Sequence, residues 1–213
     1  MSNAFESCLF NSLNQATACQ TPFTHWNISS VLPESFYTFI HDKKTTEHKP
    51  LYYDGTRAGN YNSPSKNDNA RMYITEAVTQ KYPFFSNLIH AFRAPRLLEL
   101  VSKKFDIQLS GCYLRAECTF DHNGFFLHPH LDIHEKRFTL FVYLGDSPEG
   151  YGTDLYDKEK KWVKTIPFRH NTGYIFIPGH DTWHGFEPKE IVGVRTALLI
   201  NYVTFPTDWP LTF

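Results

Sequence analysis

Hydrophobic and polar positions follow two different patterns along the chain. Up to about residue 108 the readable signals are helical. In Leu32-Pro33-Glu34-Ser35-Phe36-Tyr37-Thr38-Phe39-Ile40, Pro33 and Glu34 suit a first helical turn, where a missing N–H is tolerated and a carboxylate is favoured. Ala94-Pro95 opens a second helix, with Leu97, Leu100, Val101 and Phe105 at helical spacing and Glu99, Lys103 and Lys104 largely between them. Residues 1 to about 20 are polar and featureless and predict a loosely held arm. The stretch 43–69 is rich in Lys, Asn, Asp, Gly and Ser, with Asp54-Gly55 and Ser63-Pro64 as turn signals. It predicts a loop long enough to serve as a substrate lid. From about residue 109 short apolar or alternating runs take over, at 110–120, 124–130, 138–144, 161–166, 173–177 and 193–204. Turn clusters such as Asp121-His122-Asn123-Gly124 and Pro178-Gly179 separate them. Strands so spaced, with no helical periodicity between them, predict an antiparallel sandwich or barrel. The expected molecule is mainly β, α+β overall. One domain is divided into an arm and helical front section (1–108), a β core (109–205) and a short tail (206–213).

Composition narrows the class. A chain of 213 residues suits one domain. Aromatic residues reach 16%, which excludes disorder. The net charge of −1 leaves no electrostatic footprint for nucleic acid, so no such partner is expected. Apolar runs such as Thr196-Ala197-Leu198-Leu199-Ile200 are far too short for a bilayer, and Met1-Ser2-Asn3-Ala4-Phe5-Glu6 has no signal-peptide character. The expectation is a cytoplasmic protein without a membrane association. Cys8, Cys19, Cys112 and Cys118 form no CxxC pair, which argues against a zinc ribbon or a thioredoxin-type site. Cys112 and Cys118 lie an even number of residues apart, so in a strand they share a face as buried free thiols.

The chemistry concentrates in Leu127-His128-Pro129-His130-Leu131-Asp132-Ile133-His134. Alternate side chains of an extended chain share a face, so His130 and Asp132 project together, roughly 6–7 Å apart at Cα. An imidazole nitrogen and a carboxylate oxygen can converge from there on one metal ion. His128 and His134 share that face, but only His130 has a carboxylate two places on. A third ligand must come from elsewhere; Asp181-Thr182-Trp183-His184-Gly185-Phe186 offers His184, with His180 a rival four residues earlier. Two imidazoles and one carboxylate on one side of an ion form the facial triad of non-haem Fe(II) oxygenases. Arg195 opens the otherwise apolar strand Val194-Arg195-Thr196-Ala197-Leu198-Leu199-Ile200, where a guanidinium needs an anion. That anion is either a structural Asp or Glu or the carboxylate of a 2-oxo acid. Tyr113, Arg115 and Glu117 alternate onto one face, a candidate substrate surface (Tyr113, Arg115) or a rim salt bridge. Arg71 and Tyr73 are further, weaker candidates.

Taken together, His130-Leu131-Asp132, then Trp183-His184-Gly185, then Arg195 eleven positions after His184 resemble the 2-oxoglutarate/Fe(II)-dependent oxygenases. That spacing favours His184 over His180. Thr139-Leu140-Phe141-Val142-Tyr143-Leu144 resembles the strand that follows the HxD motif in prolyl-hydroxylase-like members, where the tyrosine matching Tyr143 reaches 2-oxoglutarate. Gly152-Thr153-Asp154-Leu155-Tyr156 is similar to the family's next, glycine-led strand. The resemblance covers about 110–204 firmly and the front section loosely. It implies a double-stranded β-helix (jelly roll) with helices packed on it. It also implies Fe(II) on His130, Asp132 and His184, 2-oxoglutarate on Arg195 and Tyr143, and O2 as second co-substrate. The implied reaction hydroxylates a small molecule or peptide, releasing succinate and CO2. Ala197 stands where the family often has Ser or Thr, and Phe120 where some prolyl hydroxylases have Tyr. Asp132 stands where related halogenases have Gly or Ala, so hydroxylation is favoured over halogenation. Two other readings use the same barrel: a cupin-like metal-binding isomerase or sensor, with no use for Arg195, and a purely structural jelly roll.

Overall fold

The computed structural model describes residues 2–42 and 71–212. The expected loop 43–69, and with it any lid, lies outside the described residues. The front section is more ordered than its polarity suggests. Residues 1–20 are no loose arm: Ser2–Gln15 form helix α1 and Thr17–Cys19 a short strand β1. Phe5, Leu9 and Leu13, one per turn, are all buried. Phe5 meets the rings of Phe36 and Phe84 edge-on, at 6.0 and 5.6 Å between centroids. Strand β2 (His25–Ser29) and helix α2 (Glu34–Asp42) follow, the helix starting at the expected Pro33-Glu34. From residue 71 onward come β3 (Arg71–Tyr73), α3 (Glu76–Lys81), α4 (Phe84–Arg93) and α5 (Pro95–Phe105), the last with Pro95 in its first turn as the sequence predicts.

The β core comprises β4 (Tyr113–Asp121), β5 (Leu127–His130), β6 (Lys136–Leu144), β7 (Thr153–Tyr156), β8 (Trp162–Ile166), β9 (Thr172–Phe176), β10 (His184–Phe186) and β11 (Arg195–Val203). Every pairing among these strands is antiparallel. The chain distributes them over two sheets. The larger runs β1-β2-β9-β6-β11-β4-β3, the smaller β5-β10-β7-β8. Of the eight core strands, β4, β6, β9 and β11 belong to one sheet and β5, β7, β8 and β10 to the other, which is the double-stranded β-helix.

Period-two alternation puts a core on each face of the larger sheet. Leu114, Ala116, Cys118, Leu140, Val142, Leu198 and Ile200 pack with the helices in one cluster. Phe141, Tyr143, Tyr174, Phe176, Ala197 and Leu199 pack with Leu155, Ile166, Phe168 and Phe186 in a second, between the sheets. All nine residues of β11 are buried, which is why that strand reads as a continuous apolar run. Cys112 and Cys118 are free thiols in the helix-side cluster, as expected. Gly173 is what lets β9 lie against β6: a Cβ there would sit 1.7 Å from the Phe141 carbonyl oxygen. Its neighbour Tyr174 thereby comes directly opposite Phe141 on the inner face.

Candidate active site

The two halves of the predicted motif meet at the open end between the sheets. His130 closes β5, His184 opens β10, and the two are paired across the antiparallel ladder. Their rings lie 4.3 Å apart, and Asp132 follows just beyond β5. One ligand atom from each of the three lies within 4.8 Å of the other two. Sequence spacing set His130 beside Asp132; the register of β5 with β10 supplies His184.

Hydrogen bonds fix the donor atoms. His130 Nδ1 lies 2.9 Å from the His128 carbonyl oxygen, and His184 Nδ1 lies 2.9 Å from that of Thr182. A carbonyl only accepts, so each Nδ1 carries a proton, and each ring when neutral offers its Nε2 lone pair. Burial and the neighbouring His184 push His130 down to about 3, so this imidazole is neutral at ordinary pH. Burial raises the Asp132 carboxyl, but the Lys136 ammonium outweighs that with help from His184 and Thr139, holding it well below the usual carboxylate range. Lys136 Nζ donates to Oδ1 at 2.5 Å and the Thr139 hydroxyl to Oδ2 at 2.8 Å. His130 is thus a neutral imidazole and Asp132 a carboxylate, each in the form a metal takes, with the His184 ring beside them. Those donors fit a ferrous ion on one flank. The bystanders are not in the set: His134 and His180 are exposed, and His128, exposed and edge-on against Phe126, lines the cavity without joining the three.

The triad opens into a cavity of about 740 Å3. Arg195 lines it and is itself 2% exposed. Its Nη1 donates to Asp121 Oδ2 at 2.5 Å, and its Nε to the Tyr151 carbonyl at 2.5 Å. Asp121 is directly opposite it in the β4–β11 ladder, and the rings of Phe141, Tyr143 and Phe186 surround the guanidinium. The structural carboxylate and the cavity-facing position, alternatives from sequence, therefore coexist.

Tyr143 is placed differently from its expectation. Its hydroxyl donates to Thr153 Oγ1 and accepts from the Thr153 backbone N–H, both at 2.9 Å, and the residue is fully buried and absent from the cavity wall. Tyr174 and Thr153 line the wall there instead. Sequence could not find Tyr174, because its position depends on the β6–β9 register. Arg115 lines the cavity, and so do Arg71, Tyr73 and Glu117. Tyr113 does not; it opens β4, opposite Val203 and bridged to Pro210.

A packed relay supports His184 from behind. Phe176 lies 4.9 Å from the His184 ring, Phe23 6.0 Å from Phe176, and His25 5.7 Å from Phe23. His25 is fully buried, its Nδ1–H donates to the Phe23 carbonyl, and its Nε2 has no partner among the described residues. Burial lowers its pKa below the usual 6.5, with Lys164 adding to the effect. Below that pH an unfolded chain takes up a proton that the folded state refuses, so stability falls as pH falls. For the metal-free protein we expect a slope approaching about 1.4 kcal/mol per pH unit from this residue. Urea midpoints at pH 7.5, 6.5 and 5.5 measure it, and His25→Leu should flatten the acid limb.

Comparison with known proteins follows the same outline. The family model described as the 2OG-Fe(II) oxygenase superfamily matches residues 114–203. No curated protein matches the chain in sequence. Among solved structures, a prolyl 4-hydroxylase from Phytophthora capsici is 14% identical with a TM-score of 0.59, covering 99% of this chain and 68% of its own. A prolyl hydroxylase from Trichoplax adhaerens, solved with a hypoxia inducible factor oxygen degradation domain peptide fragment, is 16% identical with a TM-score of 0.59 (95% and 90%). The non-heme alpha ketoglutarate dependent carbocyclase SnoK of nogalamycin biosynthesis is 12% identical with a TM-score of 0.54 (100% and 94%). At these identities the likeness is one of fold. Among the described residues no helix is long and apolar enough to cross a membrane. Motif, strand order and donor set thus agree over residues 114–203, the β core that matches the model of the 2OG-Fe(II) oxygenase superfamily, a family that uses Fe(II), 2-oxoglutarate and O2.

Proposed function

We propose that the protein is a hydroxylase acting on a small molecule or peptide, with His130, Asp132 and His184 as iron ligands and Arg195 as the anchor of 2-oxoglutarate. The observation that carries this reading is the meeting of the triad and a caged arginine on one cavity. Bound there, Fe(II) supplies the oxidation: substrate C–H, 2-oxoglutarate and O2 give alcohol, succinate and CO2. The protein's own part is placement. The two Nδ1–H bonds aim the Nε2 lone pairs, Thr139 and Lys136 hold Asp132 ionised, and the aromatic wall excludes water. Arg195, already fixed at Nε and Nη1, offers its remaining edge to the far carboxylate of the co-substrate. Tyr143 acts one step back by holding Thr153 at the wall. A carboxylate at 132 fills the position that halide would need, which supports hydroxylation. Four free thiols suit a reducing compartment, the cytoplasm.

Anaerobic addition of Fe(II) and then 2-oxoglutarate to the purified protein tests the reading. A weak visible charge-transfer band should grow with 2-oxoglutarate and vanish in His130→Ala. Iron binding without that band would favour the cupin-like alternative and end this proposal.

A further inference from the structure

The cavity carries a second charged cluster that the metal chemistry does not use. Arg71 and Tyr73 on β3 and Arg115 and Glu117 on β4 all line it. Arg71 Nη1 lies 3.4 Å from Glu117 Oε2 and 3.3 Å from the Tyr73 hydroxyl. Arg115 Nη2 lies 3.4 Å from that same Oε2 and 3.2 Å from the same hydroxyl. Two guanidinium groups thus lean on one carboxylate oxygen. Their side chains are only 6% and 19% exposed, and that of Glu117 is 2% exposed.

The other cations on the wall close more tightly on carboxylates, Arg195 on Asp121 and Lys136 on Asp132, with Asp121 also within electrostatic reach of Arg71. Glu135 meets His134, and Asp208 accepts the Glu76 backbone N–H. At contact distance, the Arg71–Arg115–Glu117 group sets two guanidinium groups against one carboxylate among the described residues. Its contacts are also loose, since charge-assisted pairs close to about 2.7–2.9 Å. Each guanidinium spends a single nitrogen on protein acceptors, leaving donors directed to the cavity. Holding two largely desolvated cations on one carboxylate is costly unless a further anion completes the set.

We propose that Arg71 and Arg115 form the subsite for a carboxylate of the oxidised substrate, making this an enzyme of small carboxylic acids. This rests on the functional reading above. One negative charge balances the cluster, whereas a phosphate dianion overshoots it, and the planar forks suit a carboxylate. The geometry also separates the subsite from the metal. Arg115 is opposite Asn201, Asn201 is opposite Thr139, and Thr139 bonds Asp132. Two inter-strand steps, about 10 Å, lie between Arg115 and Thr139, so an acid held at one end presents a carbon further along its skeleton to the other.

The test uses L-proline, L-leucine, hexanoate and benzoate, each beside its primary amide. Binding is read calorimetrically and by thermal shift on protein loaded with Mn(II) and N-oxalylglycine, and again without them. At least one acid should bind about tenfold or more tightly than its amide. Arg71→Gln and Arg115→Gln should each remove that preference, while Glu117→Gln should tighten the acid. The Fe(II)–2-oxoglutarate band should persist in all three variants, which also shows that they fold. Equal binding of acids and amides, no binding by any acid, or acid affinity unchanged in both arginine variants overturns the proposal. Loss of the band in the unaltered protein instead overturns the oxygenase reading, and the metal-free comparison still decides the subsite.

Discussion

Replacing His184 by alanine should abolish turnover and weaken ferrous binding by about 10²–10³-fold, leaving the fold standing. The magnitude comes from ligand counting. Four ligands give a structural zinc ion about 10–16 kcal/mol, so one ligand is worth roughly 3–4 kcal/mol. A three-ligand site has no redundancy, because His130 and Asp132 cannot close a facial set alone. The side chain itself contributes little to folding: it caps the open end of the barrel and contacts Phe176 and His130. The chain on either side is fixed through the β10 pairings with β5 and β7. Iron titration and succinate release measure the two effects. His180→Ala, four residues earlier on an exposed turn, should change neither. A His180→Ala variant that lost iron while His184→Ala kept it would reverse the assignment.

How much of this was legible beforehand depended on the range of the interaction concerned. Six of the eight strands of the β core could be read because alternation is a local property, each of the six apolar runs overlapping one of them, while β7 and β10 fall in no run. His130 and Asp132 were legible for the same reason, being two residues apart on one extended segment. Helices α1 and α4 show what was overlooked. Phe5, Leu9 and Leu13 recur every four residues, and Phe85, Leu88, Ile89 and Phe92 mark a second buried stripe. Polar neighbours such as Ser7, Asn11 and Asn14 hid the first, although one apolar residue per turn is enough when the rest faces outward. The aromatic part of the wall beside Arg195 was not legible. Whether Tyr143 or Tyr174 lines it is decided by where Thr153 crosses from the other sheet, which no local spacing encodes. The Arg71–Arg115 pair has the same character. Arg71 and Arg115 are 44 positions apart in the chain, and only the antiparallel match of β3 to β4 brings them to one carboxylate.

Arg195→Gln should be the most damaging single change, because one guanidinium holds a buried ion pair and, on the proposed function, the co-substrate as well. Asp121 is fully buried opposite it, and losing its partner leaves a desolvated carboxylate short of its nearest charge. Breaking a buried pair from one side costs about 3–5 kcal/mol, a large share of the roughly 5–15 kcal/mol that holds a domain together. A drop of that size should appear as a large fall in the urea midpoint. Co-substrate affinity should fall as well, by about 100-fold, the worth of two hydrogen bonds to a charged group. Asp121→Asn separates the two roles. It keeps Arg195 in the wall and removes its counter-charge, so stability should fall while 2-oxoglutarate recovers part of it, the co-substrate now supplying the missing anion. In the unaltered protein that rescue should be smaller, since Asp121 already balances the charge. If 2-oxoglutarate raised the melting temperature of Arg195→Gln as much as that of Asp121→Asn, the arginine would be a purely structural ion pair and the co-substrate carboxylate would have to sit elsewhere on the wall.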